Sequence, residues 1–310
     1  MAVPRVGVAF ADGAGDVGRL SGERAADAMG DHPEPVREFT ALHDSRRTQP
    51  PGYPSGEPHA GRAMRPALLF CLSVLLSLPV CADSVDVAVA ANFAGPMAAI
   101  AERFHAATGH DVRLSPGATG KLYAQVANGA PFDVFLSADE EAPRRLVAEG
   151  HADGASRFTY AVGALVLWSP DAGLAVADGA VLKTGTFAKL AIANPKTAPY
   201  GRAAIEVLGK LGVLAAVEPK LVQGESIAQA FQFVRSGNAT LGFVGLSQVL
   251  GEDGAIAGSA WRVPEALHAP IRQDAVLLKH GRGNAAAAAL LAYLKGDAAT
   301  TVMRRYGYTP

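Results

Sequence analysis

Residues 160–168 read "YAVGALVLW", an apolar run with no charged side chain. A run this short and rich in Val and Leu predicts a long buried strand. Its position sets the domain organisation. A strand–helix alternation leads up to it and a second alternation restarts after it, so it predicts the passage from one α/β unit into another.

Upstream, "VDVAVAA" (85–91) predicts a strand and "FAGPMAAIAERFHAATG" (93–109) a helix ending on Gly. "DVRLS" (111–115) is a strand, followed by a helix opened by "GATGK". "FDVFLSA" (132–138) is a strand, and "DEEAPRRLVAEG" a short helix with an acidic first turn. Downstream, "KLAIANP" (189–195) leads through "KTAPYG" into a helix. "PKLVQG" leads through "ESI" into "AQAFQFVRSG", and "ATLGFVGLSQV" follows as strand and turn. "RQDAVLLKHG" (272–281) returns as a strand before two closing helices. Strand–helix repetition predicts mostly parallel sheets with helices on both faces. The predicted lobes are 83–162 with 268–310, and 163–267, joined by two crossing hinge strands around a cleft.

Composition narrows the function classes. The 310 residues carry a net charge of −1, with 49% hydrophobic and 18% charged residues, so nothing marks a nucleic-acid surface. The two cysteines, Cys71 and Cys81, lie in or beside "MRPALLFCLSVLLSLPVCA" (64–82), a basic start, an apolar run and a cleavage-like Val80-Cys81-Ala82. That is the grammar of a cleavable secretory signal, and the run is short for a membrane span. A core helix is disfavoured by the missing amphipathic period. A lipid anchor on Cys81 is disfavoured by Leu78-Pro79-Val80 before it. After cleavage no thiol remains for catalysis or metal binding. Residues 1–63, rich in Gly, Pro, Asp and Arg, show no sustained period. Met64 is therefore the expected start, and 1–63 a non-native or disordered extension.

"GATGK" invites comparison with a nucleotide loop, which needs Gly, four residues, then Gly-Lys-Ser/Thr. Five residues before Gly120 stands Ser115, and after Lys121 stands Leu122, so the motif fails at both ends. What remains is a helix amino end, with unpaired N–H groups and a favourable dipole for an anion. Four turns share this property: Asn92 after the first strand, Thr119 in "GATGK", Tyr200 after Pro199, and Ser226-Ile227.

Five longer stretches stand out between Asp83 and Pro310: "VAANF", "GATGKLYAQVANGAPFDVFLSAD", "ANPKTAPYG", "ESIAQAFQFVRSGNATLGFVGLSQ" and "YLKGDAATTVMRRYGYTP". On these motifs the chain resembles the periplasmic molybdate-binding proteins of ABC transporters. The resemblance implies a two-lobed periplasmic-binding-protein type II fold, and a monomer that binds molybdate or tungstate and meets a membrane permease. It implies no cofactor, and no direct bond from protein to molybdenum. The ligand donors it implies are Asn92 (side chain and amide), Thr119 (hydroxyl and amide), Tyr200 and Ile227 (backbone amide). Ala91, Gly120, Lys121 and Ser226 are expected behind them. A hydroxy residue common in that family stands as Ala91 here. One subgroup uses a tyrosine where this chain has Gly245, and "RYGY" is expected to be C-terminal packing.

Rival readings are a receptor for sulfate or phosphate, an enzyme, and a ligand-sensing transcription regulator. Phosphate keeps a proton near neutral pH and calls for an acidic acceptor, for which Asp139 and Glu225 are the nearby candidates. An enzyme is disfavoured by scattered histidines and the absence of HExxH or GxSxG. The regulator would need a DNA-binding helix pair where the signal stands.

Overall fold

The computed structural model describes residues 83–310, which fall within one compact unit. The expected signal (64–82) and extension (1–63) lie outside the described residues. Among those described, no helix is long and apolar enough to cross a membrane.

The first half of the chain forms β1 (Ser84–Ala90), α1 (Ala94–Thr108), β2 (Asp111–Gly117), α2 (Thr119–Ala127), β3 (Val134–Leu136), α3 (Glu141–Ala148) and β4 (Phe158–Gly163). The second theme comprises β5 (Leu165–Ser169), α4 (Ala180–Thr184), β6 (Leu190–Ala193), α5 (Pro199–Lys210), α6 (Leu214–Val217), β7 (Leu221–Gly224), α7 (Ile227–Arg235), β8 (Leu241–Gly245), α8 (Leu246–Val249) and β9 (Ser259–Arg262). The chain closes with β10 (Ile271–Leu277), α9 (Ala285–Leu294) and α10 (Asp297–Arg305).

Two five-stranded sheets result, in the orders β2-β1-β3-β10-β4 and β7-β6-β8-β5-β9. They repeat one plan. The strands linked through helices pair in parallel, β1 with β2 and β3, and β6 with β7 and β8. The strands that carry the chain between lobes pair antiparallel, β10 with β3 and β4, and β5 with β8 and β9. The sheets are therefore mixed rather than mostly parallel, because a strand entering from the other lobe runs against its neighbours.

The stretch 160–168 is not one strand. It divides at Ala164 into β4, in the first sheet, and β5, in the second. Composition could not show this division, since both halves are buried and apolar. The return passage also differs from the expected crossing strand. Residues 263–270 hold a short 3₁₀ turn, Glu265–Leu267, between the two sheets. Pro264 and Pro270 flank it, and neither can donate to a ladder.

Burial explains the layers. On β1, Val85, Val87 and Val89 face one core and Ala88 the other, as period-2 alternation requires. The first face is covered by α1, whose Met97, Ile100 and Phe104 are fully buried. Each such side chain contributes about 1.5–3 kcal/mol of apolar burial. α1 stops at Gly109, whose φ of 75° suits the left-handed cap and whose N–H donates to the His105 carbonyl. Leu122 of α2 and Leu146 of α3 cover the opposite face.

Candidate functional site

Each parallel strand of the two lobes ends near a turn that opens a helix. Asn92 follows β1, Thr119 is the first residue of α2 after β2, Tyr200 is the second residue of α5, and Ile227 the first of α7. These four residues, from two sheets, line one small pocket. They are nearly inaccessible, at 2%, 3%, 2% and 3% exposure in that order. Ala91 lines it too. Gly120, Lys121 and Ser226 do not.

The reason lies in what each of the three does instead. Gly120 donates its N–H to the Thr197 carbonyl across the lobes (2.8 Å). A Cβ on Gly120 would meet the Thr197 backbone at 3.1 Å, so the lobes approach this closely only because Gly stands there. Lys121 is exposed and paired with Glu225. Ser226 caps α7 by accepting from the Gln229 N–H at 3.4 Å.

The donors of the pocket are neutral. Among the described residues, the backbone N–H groups of Asn92, Thr119, Tyr200 and Ile227 have no hydrogen-bond acceptor. Buried N–H groups are otherwise almost always paired. The Thr119 hydroxyl accepts from the Ala138 N–H (3.1 Å), which leaves its own hydrogen to give. No charged side chain lines the pocket, and neither Asp139 nor Glu225 reaches it. Asp139 is held by Arg202 at 2.7 Å. Such a site suits a small solute that only accepts hydrogen bonds.

The Asn92 side chain has a different role from the one the resemblance implies. Its Nδ2 donates to Gln273 Oε1 (2.9 Å) and to the Tyr308 hydroxyl (3.0 Å), so both amide hydrogens are committed to protein partners. The Tyr200 hydroxyl likewise lies among protein groups, accepting from Gln273 Nε2 at 3.3 Å. The Tyr160 hydroxyl donates to the Ser137 carbonyl and lies 3.0 Å from Gln273 Oε1. A signal for Gln273 was present: a polar residue inside the buried strand "RQDAVLLK" needs a partner. Tyr308, in the "RYGY" expected to be packing, is core by burial but also touches Asn92. At Gly245 a Cβ would lie 3.5 Å from the Tyr200 ring, in ordinary van der Waals contact with it.

Burial pushes the hydroxyls of Tyr160, Tyr200 and Tyr308 above the ordinary tyrosine range, with neighbouring tyrosines adding to the shift of the first two. They stay neutral donors across physiological pH. Because the folded values are raised, their stabilising effect is complete below about pH 10, where unfolded tyrosine titrates, and is lost above it. Melting temperature should therefore fall as pH rises beyond about 10. The Tyr308→Phe variant should lose less over that range. Equal loss in both would remove Tyr308 from this effect.

Two α/β lobes that place unpaired helix-end donors around a shared pocket define a solute-binding protein. A family model described as bacterial extracellular solute-binding protein matches residues 85–309. The molybdate-binding protein ModA of Azotobacter vinelandii is 56% identical over 234 residues, covering 76% of this chain and 93% of its own. ModA of Rhodobacter capsulatus is 52% identical over 242 residues, covering 78% and 94%. The solved structure of the Azotobacter vinelandii periplasmic molybdate-binding protein superposes with a TM-score of 0.72 at 41% identity, covering 73% of this chain and 99% of that one. The chain belongs to the bacterial extracellular solute-binding proteins, among their ModA-type members.

Proposed function

We propose that the protein captures molybdate, or its congener tungstate, between its lobes and delivers it to the membrane permease of an ABC transporter. The observation that carries the reading is the pocket itself: four acceptor-less N–H groups and one hydroxyl, with no charged side chain lining it. A dianion leaving water loses hydration that only aimed donors can replace, and helix amino ends supply them without a flexible cation. Asn92, Thr119, Tyr200 and Ile227 are the proposed ligand donors, the first through its N–H. Ala91 contributes shape. The metal centre is reached only through its oxygens.

The same donor set discriminates. Molybdate, tungstate and sulfate accept at every oxygen near neutral pH, whereas phosphate carries a proton that needs an acceptor the pocket lacks. An unpaired buried donor costs about 1–3 kcal/mol, or roughly tenfold to a hundredfold in affinity. Between molybdate and sulfate, the size of the pocket decides. Binding favours the closed arrangement of the lobes, which the permease then recognises. The protein works as a secreted periplasmic monomer and catalyses no reaction.

A thermal-shift panel tests this. At a hundredfold excess over Kd a ligand adds about 2.7 kcal/mol, or roughly 5–11 °C for a domain of this size. Molybdate and tungstate should raise the melting temperature in this way at concentrations where phosphate does nothing. A shift by phosphate equal to that by molybdate would rule the donor-only site out.

A further inference from the structure

The lobes meet through two kinds of contact. Exposed ion pairs cross the cleft: Arg202–Asp139 at 2.7 Å, Lys121–Glu225, and Arg305–Glu252 at 3.4 Å. Exposed pairs contribute little, because solvent screens them and holding long side chains costs entropy. The second kind is part-buried. Ser247, on α8 of the second lobe, donates its hydroxyl to the Asn92 carbonyl (2.9 Å) and lies 3.1 Å from the Tyr308 hydroxyl. Tyr308, from the chain's C-terminal segment on the first lobe, donates to the same carbonyl (2.9 Å) and accepts from Asn92 Nδ2 (3.0 Å).

Asn92 is thus gripped at its carbonyl and its side chain, which fixes the direction of the one group it turns to the pocket. The C-terminal segment is itself anchored to β4, the last strand before the chain leaves the first sheet. Val162 N–H donates to the Thr309 carbonyl (2.6 Å) and Thr309 N–H to the Val162 carbonyl (3.2 Å). Neither Tyr308 nor Ser247 lines the pocket.

We propose that Tyr308 and Ser247 are positioning residues for ion capture, clamping Asn92 from opposite lobes so that a bound ion is retained by a lock it does not touch. The Ser247 half of the clamp exists only when the lobes meet, so removing it destabilises the ion-bound closed form more than the open one. This rests on the molybdate-receptor reading. Its signature is kinetic: encounter uses the open form and keeps its rate, while release requires the lock to open.

The test is stopped-flow measurement of molybdate association and release on the full-length protein and its Tyr308→Phe and Ser247→Ala variants. The Tyr308→Phe change keeps the aromatic ring edge-on to Phe93 (centroids 5.3 Å apart in the parent) and removes only the hydroxyl. Each variant should release molybdate about three- to tenfold faster with association nearly unchanged. Ser247→Ala should keep the ion-free melting temperature, whereas Tyr308→Phe, which removes hydrogen bonds made within the first lobe, should lower it. The double variant should fall short of the product of the two effects, because they share one carbonyl and one contact. Release at the wild-type rate overturns the proposal, as does a lower ion-free melting temperature with unchanged release, which would make Tyr308 a packing residue. A wild-type protein that binds no molybdate fails earlier, and sinks the receptor reading and the lock together.

Discussion

Gly163→Ala is expected to weaken molybdate binding by about tenfold to a hundredfold while both lobes remain folded. Gly163 ends β4, at the point where the chain leaves the first sheet. A Cβ there would lie 2.1 Å from the Tyr200 hydroxyl and 2.4 Å from Gln273 Nε2. The backbone of Gly163 is not in the left-handed region, so alanine introduces no backbone strain of its own. The conflict is with Tyr200, a rigid ring carried by α5 of the other lobe. Gln273 ends in a fully buried amide bonded to Asn92 and Tyr160, so its part of the conflict is met within the first lobe and bears on open and closed forms alike. Tyr200 can withdraw only if α5 and its lobe withdraw with it. Forcing extra volume into a packed site costs about 1–3 kcal/mol, and the part that Tyr200 meets falls on the closed form.

Calorimetry with molybdate measures the loss, and far-UV circular dichroism checks the fold. Tyr200→Phe supplies the internal control, because without the hydroxyl the nearest ring atom lies at 3.1 Å from the added Cβ. Gly163→Ala should then cost less in the Tyr200→Phe background than in the parent. Equal cost in both backgrounds would show that Tyr200 is not what alanine meets.

Thr119→Ala should have an effect of similar size by a different route. A hydrogen bond to a charged acceptor is worth about 1.5–3 kcal/mol, so losing the hydroxyl donor should weaken molybdate about tenfold to a hundredfold. The same change leaves the Ala138 N–H without its acceptor, since Thr119 Oγ1 receives it at 3.1 Å. Both losses are local to the pocket, and the apolar contacts of α2 through Leu122 and Val126 remain. Thr119→Ser keeps the hydroxyl and should bind within about threefold of the parent. If alanine at 119 binds as tightly as threonine, the hydroxyl is not a ligand donor. If serine is as weak as alanine, shape rather than hydrogen bonding explains the loss.

The two variants separate causes that affinity alone confuses. Thr119→Ala removes a donor and should act on every anion that uses it. Gly163→Ala hinders closure and leaves the donors in place. Comparing molybdate with sulfate in each variant shows whether discrimination resides in the pocket wall or in how tightly the lobes shut.

How much was legible beforehand follows the range of the interactions. The helix amino ends at Asn92, Thr119, Tyr200 and Ile227 could be found from sequence, because a turn of small residues before an apolar helical period is a local pattern. Where "YAVGALVLW" breaks was not legible. Both halves are buried and alike in composition, and only their ladder partners, Ile271 opposite Gly163 and Gly245 opposite Leu165, assign them to different sheets. β9 was missed because "SAWR" is short and half-buried, without alternation to mark it.

Local patterns along the chain were enough for the alternation of strands and helices, the repetition of that theme in two units, the four donor turns, and the exclusion of a nucleotide loop at Lys121. Each depends on neighbours within a few positions. Packing in three dimensions brings the four turns to one pocket, turns Lys121 to Glu225 instead of it, and binds the Asn92 side chain inward. Asn92 meets Tyr200, Gln273 and Tyr308 across separations of 108, 181 and 216 residues. No local preference encodes such contacts. They exist because burying two sheets' worth of apolar surface brings these polar groups together, where each must find a partner or forfeit its hydration.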